Sequence, residues 1–227
     1  MLNIRIKNIA SCNRQNSKYF MNIQENSIVK FEGDLARVIF DVLLGKTPYH
    51  GDIILNETSM VADLPAYMKL IQYISLNNRK RIDNIAVREY IDIFSVLTVE
   101  REDHETSFSF IESMLHFMNL DYLLEQNMSQ VSEDEKLLIE IIATSQKRPK
   151  LILLEDFWLY SSSACKDKII EFLQCYIDSQ NAIGIILSSD SVLSNDFFDY
   201  SYKIGMGEIK KVNYKVKKKK FKELHNV

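Results

Sequence analysis

Two adjacent carboxylates, Glu155 and Asp156, close an unbroken run of aliphatic residues from Leu151 to Leu154. A run so short and so apolar reads as a strand buried on both faces, as central parallel strands are. The carboxyl ends of such strands are where open α/β sheets hold their ligands. There Glu155 could bind a metal ion and Asp156 could poise a water; the alternative is that both are solvated or cap neighbouring N–H groups. Arg37 could hold a phosphate or sulfate at a helix N-terminus, or stand solvated or paired with a glutamate. His104 and His116 are isolated and offer no ligand set. Cys12, Cys165 and Cys175 are odd in number and lack a metal-ligand spacing, so they read as free thiols of a reducing compartment.

The acid pair is positioned by what precedes it. Ser132 followed by Glu135 has the form of a capping box, in which each side chain takes an orphan N–H of the helix start. Glu133 and Asp134 add negative charge where the helix dipole is positive. Leu137, Leu138, Ile141 and Ile142 recur at helical spacing, so this helix lays one face on a core. Pro149, in the turn Lys147-Arg148-Pro149-Lys150, is expected to stop it.

Helix start, helix, Pro-Lys turn, four aliphatics and paired acids resemble the nucleotide-binding domain of ABC transporters, from its signature helix (L-S-G-G-Q) through its Walker B strand. Ser132, Lys136, Pro149, Lys150 and the aliphatics are kept. Glu133 and Asp134 replace the signature glycines, Glu135 the Gln, and the acid pair is inverted to Glu155-Asp156, with Phe157 for the Pro. The resemblance implies an α/β, P-loop NTPase-like ABC ATPase fold: a mixed or parallel core sheet with flanking helices, an N-terminal antiparallel β subdomain and an inserted α-helical subdomain. It covers about residues 1–212 as a single domain, with the helical subdomain at about 84–130 and a basic tail over 213–227.

The positions that would touch nucleotide have departed from the family pattern. A phosphate loop needs G-x-x-x-x-G-K-[ST], whose backbone N–H groups wrap the phosphates while Lys neutralises charge and the hydroxyl holds Mg²⁺. The matching run, Lys30 to Val38, keeps Gly33 but has Leu35 for the second glycine, Ala36 for the lysine and Arg37-Val38 for the hydroxyl pair. Gly45-Lys46-Thr47 imitates the end of such a loop, but Phe40 stands where the earlier glycine belongs and Pro48 follows where a helix should run. Leu76 replaces the Q-loop Gln and Ser189 the switch His. Gln72 reads as an ordinary polar strand residue. The resemblance thus survives at scaffold positions, Asp199 and Gly207 among them, and fails at chemical ones.

Composition sets the remaining bounds. The 227 residues are 46% apolar and 26% charged, ordinary for a globular chain able to bury a substantial core. A net charge of −3 argues against general nucleic-acid binding. Six Gly and three Pro are fewer than a phosphate-gripping enzyme usually needs. No apolar run approaches a membrane span and no signal peptide opens the chain, so any membrane role is expected from the cytoplasmic face.

The first 32 residues alternate as strands do, with Leu2, Ile4 and Ile6 as one set, and are expected to form the antiparallel subdomain. Tyr19 or Phe20 could stack on adenine or belong to the core. Residues 84–128 turn helical, with a charged loop at Glu100 to Glu105; their Met, Phe and Tyr content suits an adaptable groove for a membrane subunit's coupling helix or a helical core. Eight lysines fall between Lys210 and Lys222. This tail is a solvated extension or a contact for anionic lipid headgroups, worth about 1 kcal/mol per lysine near a charged membrane, or for an acidic partner; RNA binding would want more aromatic interleaving than Tyr214 and Phe221 supply.

By resemblance, each composite site would join one subunit's P-loop to the other's signature. Glu133, Asp134 and Glu135 would then set three carboxylates against a partner's γ-phosphate and disfavour closure on ATP. The expectation is a degenerate ABC ATP-binding subunit, a pseudo-ATPase with structural or regulatory duty in a membrane transport complex. Its expected partners are a membrane-spanning transporter subunit or an intact ABC ATPase subunit; no cofactor and no nucleic acid are expected. The alternatives are a weak or asymmetric ATPase that binds Mg-ATP, and a free cytosolic adaptor.

Overall fold

A computed structural model describes residues 1–9, 18–75, 84–98, 104–155, 162–188 and 197–214. In chain order the elements are β1 (Leu2–Ile9), β2 (Tyr19–Ile23), β3 (Ser27–Glu32), α1 (Ala36–Leu43), β4 (Tyr49–Leu55), β5 (Thr58–Ser59), α2 (Leu64–Lys69) and β6 (Ile71–Ser75). There follow α3 (Val87–Thr98), α4 (His104–Phe117), α5 (Glu133–Thr144), β7 (Leu151–Glu155), α6 (Ser163–Gln180), β8 (Ile183–Leu187), β9 (Tyr200–Gly205) and β10 (Glu208–Asn213). They form two compact units, one of Met1–Ile74, Lys150–Asp156 and Gln174–Val227, the other of Ser75–Pro149 and Phe157–Leu173.

The first unit is built on two sheets. One is antiparallel, in the order β2-β1-β4-β5; the other runs β10-β9-β3-β8-β7-β6, with β3, β7, β8 and β9 parallel and β10 antiparallel to β9. On β1, Leu2, Ile4 and Ile6 point inward, as period-2 alternation requires. Ile9, of opposite parity, is also buried, because the register against β4 shifts between Ile6 and Asn8. A bulge of this kind turns the strand and resets which face each residue occupies. Gly51, opposite Ile6, cannot be replaced without moving backbone: a Cβ there would lie 1.9 Å from the Arg5 carbonyl oxygen.

The 32-residue stretch expected in the antiparallel subdomain divides. Only β1 and β2 join that sheet, whereas β3 lies between β8 and β9 in the other. The physical reason is visible in its burial, since Ser27 to Phe31 are all buried and a strand covered on both faces belongs in the interior of a layered sheet. Tyr19 is fully buried in the core, while Phe20 on the same strand is 59% exposed. One contiguous apolar core joins Leu2, Ile4 and Ile53 of the antiparallel sheet with Val29, Phe31, Leu153, Ile185 and Tyr202 of the other and Ile39 and Phe40 of α1. Removing each such side chain from water stabilises by roughly 2 kcal/mol.

The second unit is helical. Ile111, Met114, Leu115 and Met118 bury one face of α4, and Leu137, Leu138, Ile141 and Ile142 one face of α5. Its methionines at 114, 118 and 128 are core residues, not the lining of an open groove. Arg88 of α3 donates to Glu112 of α4 at 3.1 Å and to Glu125 at 3.4 Å. The helix α5 ends at Thr144, ahead of Pro149, in a 3₁₀ turn over Ser145–Lys147. Thr144 and Ser145 donate their hydroxyls back to the carbonyls of Glu140 and Ile142, and Arg148 adopts a left-handed conformation, φ 48°. Hydroxyl back-bonding competes with the helix ladder, and the residue before a proline is pushed out of the helical region. Thus the proline acts from outside the helix it was expected to end.

Candidate functional site

The candidate site lies in the first unit, around Glu155 at the carboxyl end of β7. Glu155 is 7% exposed and so could not stay charged without partners. Both of its oxygens are engaged. The Arg37 guanidinium of α1 donates through Nη1 to Oε1, and the Tyr73 hydroxyl of β6 donates to Oε2. Arg37 also donates through Nε to Asp41 Oδ2 at 3.2 Å, one helical turn on. Phe40 meets the Tyr73 ring edge-on with centroids 6.1 Å apart, and Lys46 Nζ stands 4.5 Å from the ring centroid, so the phenol is held from both directions. Glu155 is therefore neither a solvated acid nor a cap of N–H groups; it is the buried half of an ion pair.

The loop between β3 and α1 is folded onto its own sheet. Leu35 donates its N–H to the Ile204 carbonyl of β9 at 3.1 Å, and Ala36 donates to Gly33 O at 3.0 Å. Gly33 has φ +102°, and a Cβ there would sit 2.7 Å from Ile204 O. That close approach to β9 accounts for the glycine without any phosphate. Ala36 is buried at the first position of α1, and Val38 packs half-buried against the core. Gly45, with φ +68°, ends α1: it donates to Val42 O and Lys46 donates to Asp41 O, the two bonds of a Schellman turn. Gly45-Lys46-Thr47 is thus a helix end.

These residues do not fit a metal–triphosphate group. A P-loop enzyme holds its metal between the loop hydroxyl and a carboxylate at the end of the neighbouring strand. Here the carboxylate is covered by a guanidinium and a phenol, the Leu35 and Ala36 N–H groups are spent on carbonyls, and no lysine lies between Gly33 and Val38. Leu76, Asp156 and Ser189 lie outside the described residues.

Ser132 belongs to the second unit, where its hydroxyl is spent on its own helix. It accepts the Glu135 N–H at 3.3 Å and donates to Glu135 Oε2 at 2.6 Å, while Glu135 Oε2 accepts the Ser132 N–H at 3.0 Å. The three acids of this helix start have partners of their own. Glu133 pairs with Lys136 at 3.1 Å, Asp134 accepts the Ser162 N–H at 3.2 Å, and Tyr122 donates to Glu135 Oε1 at 2.6 Å. Burial alone would raise the Glu135 carboxyl, but bonds from the Ser132 hydroxyl, the Tyr122 phenol and the Ser132 N–H outweigh it and leave its pKa below the ordinary glutamate value.

Sequence reasoning singled out Arg37 and Glu155 separately but missed Tyr73 and Asp41. Asp41 had a local signal, four residues after Arg37 on one helix face. Tyr73 had none, being 82 residues from Glu155.

No family profile and no curated protein matches the sequence. Solved structures do match. An ATP-binding subunit of an ABC transporter superposes with a TM-score of 0.72 at 14% identity, over 94% of this chain and 90% of that one. The cbiO1 protein of Clostridium perfringens, part of the ABC transporter complex cbiONQ, gives 0.76 at 13% identity, over 93% and 88%. A nucleotide-free ATP-binding cassette from an ABC transporter gives 0.71 at 12% identity, over 95% and 92%. The chain has the fold of the ATP-binding subunits of ABC transporters.

Proposed function

We propose that this chain is a non-hydrolysing subunit of the ABC type, with a structural or regulatory role in a membrane transport complex. The single observation that carries the reading is the Leu35 N–H donated to the Ile204 carbonyl. A phosphate cradle is made of free backbone N–H groups, and this loop has turned one of them onto β9. The absence of a lysine at Ala36 and the self-capped Ser132 support the same reading. One structural neighbour is described as part of an ABC transporter complex; by analogy the partner here is a membrane-spanning subunit or an intact ABC ATPase, met at the cytoplasmic face. Among the described residues no helix is long and apolar enough to cross a membrane, so the attachment in this reading is peripheral.

The test is thermal. A ligand at a hundred times its Kd adds about 2.7 kcal/mol to stability, so Mg-ATP at millimolar concentration would raise the Tm of a nucleotide-binding chain. The expected result is no shift, together with co-purification of a polytopic membrane protein from detergent extracts. A dose-dependent rise in Tm, or recovery of the chain without any membrane partner, would count against the reading.

A further inference from the structure

We propose that the side of the first unit formed by the outer strands β2 and β10 is a docking surface for an anionic membrane, with lysines for the headgroups and Phe20 and Met206 for the acyl boundary. The proposal rests on the reading of the chain as a peripheral, non-hydrolysing subunit and names what that side of it meets.

Charge is spread unevenly along the chain. Residues 200–227 hold nine lysines and two glutamates, a net of +7 in a chain whose total is −3, so residues 1–199 carry −10. A body of this kind is drawn basic end first to a negative surface. Three of the lysines, Lys203, Lys210 and Lys211, are exposed on β9 and β10, where Glu208 is the acid of the hairpin. The other six follow Tyr214, which is pinned beyond the end of β10: its hydroxyl lies 2.9 Å from Ser201 Oγ, and its N–H donates to Asp199 O at 3.1 Å. The lysine run from Lys215 to Lys222 therefore starts from a fixed point at the edge of the sheet.

Exposed apolar side chains stand beside this charge. Strands β2 and β10 are each outermost in their sheet, and β2 lies against the β9–β10 hairpin: the Tyr19 hydroxyl accepts the Gly207 N–H at 3.4 Å, and Tyr202 donates to Asn22 O at 3.1 Å. Phe20 and Met206 are the chain neighbours of Tyr19 and Gly207, so they share one corner of the unit, and they are 59% and 67% exposed. Lysine on an edge strand blunts edge-to-edge pairing, which accounts for Lys210 and Lys211 alone. A phenylalanine and a methionine left in water at that corner work against the same purpose. Shallow burial of apolar side chains together with attraction to anionic headgroups is how peripheral proteins hold a bilayer surface. An acidic protein would satisfy the lysines but would need its own counterpart for two apolar side chains carried on different strands; a bilayer supplies headgroup charge and acyl carbon in one surface.

The experiment is co-sedimentation of the full chain, without nucleotide, with vesicles of equal parts phosphatidylserine and phosphatidylcholine, against vesicles of phosphatidylcholine alone. Wild type is expected to bind the anionic vesicles at least about tenfold more tightly and to lose most of that preference at about 0.5 M salt. Lys210→Glu, at an exposed position clear of the Tyr200 ring that Lys211 covers, is expected to weaken binding about thirtyfold, since each unit of charge near such a surface is worth about fivefold. Phe20→Ser/Met206→Ser leaves the charge untouched and is expected to weaken binding about tenfold with the Tm of wild type. The two single variants, each expected to weaken it about threefold, take its place should the double variant not fold. The proposal is overturned if wild type does not prefer anionic vesicles, or if Lys210→Glu or the folded apolar variants bind as wild type does, which would leave the tail acting alone. It is equally overturned if the chain ignores vesicles and is captured by polyglutamate, which would assign this side to an acidic protein. Since no nucleotide is present, these failures leave the non-hydrolysing reading standing, and that reading fails separately on Mg-ATP.

Discussion

Arg37 of α1 and Glu155 of β7, 118 residues apart in sequence, form an ion pair in which the acid side chain is 8% exposed and the base side chain 48%. That asymmetry predicts unequal costs. Arg37→Ala leaves a buried carboxylate with, among the described residues, the Tyr73 hydroxyl as its partner, and is expected to destabilise by about 2 to 4 kcal/mol, below the full cost for a wholly buried pair because half the guanidinium is already in water. Glu155→Gln leaves an arginine that water can reach, and about 1 kcal/mol is expected. Urea unfolding of both variants checks the order; equal costs, or a larger one for Glu155→Gln, would contradict it.

Gly33 serves the close approach to β9. Gly33→Ala should cost about 1 to 3 kcal/mol, since it forces a positive φ on alanine and drives a Cβ against Ile204 O. At about 2 to 4 °C per kcal/mol for a chain of this size, the loss is readable as a fall in Tm. A Gly33→Ala chain as stable as wild type would mean that the loop does not rest on β9.

Asp199 stitches the start of β3 to the ends of β9 and β10. Its carboxylate accepts the Ile28 N–H at 2.9 Å, its N–H donates to Ile28 O at 3.0 Å, and its carbonyl accepts the Tyr214 N–H at 3.1 Å. Asp199→Ala removes the first of these bonds and strands the Ile28 N–H, for an expected loss of about 2 kcal/mol. Asp199→Asn, which keeps an acceptor oxygen, should recover most of it in the same denaturant titration.

Glu135 gives the fold an acid limb. Its folded pKa lies below the unfolded value of about 4.3, so its contribution is present above that value and is lost as pH falls through the folded pKa. The stability gap between wild type and Glu135→Gln should therefore narrow as pH drops below about 4. Ser132→Ala removes the reciprocal cap at a cost of about 1 kcal/mol at neutral pH. A gap that does not change with pH would show that the capping box does not hold Glu135 ionised.

The parts of this fold that could be read in the sequence are those whose cause is local. The capping box needs only Ser132 and Glu135, and β7 announces itself through four consecutive aliphatics because both its faces are covered. The parts that could not be read depend on neighbours far along the chain. Alternation made β3 look like its predecessors, and only its place between β8 and β9 explains the burial of Ser27 to Phe31. Arg37 carried the open choice of anion ligand or glutamate partner, and that choice is made by tertiary proximity of α1 to the end of β7. Pro149 predicts the stop of α5, whereas hydroxyl back-bonds at Thr144 and Ser145 and the left-handed Arg148 stand between it and the helix end.

The most direct measurement is calorimetric titration of the full chain with Mg-ATP at millimolar concentration, repeated on Arg37→Ser. The account predicts no nucleotide-binding heat from either beyond that of a titration with MgCl2 alone, because Arg37→Ser adds a hydroxyl without freeing the Leu35 N–H or placing a lysine at position 36. Saturable binding by wild type that is altered in Arg37→Ser would contradict it, since nucleotide would then be reaching a site that the ion pair is held to close.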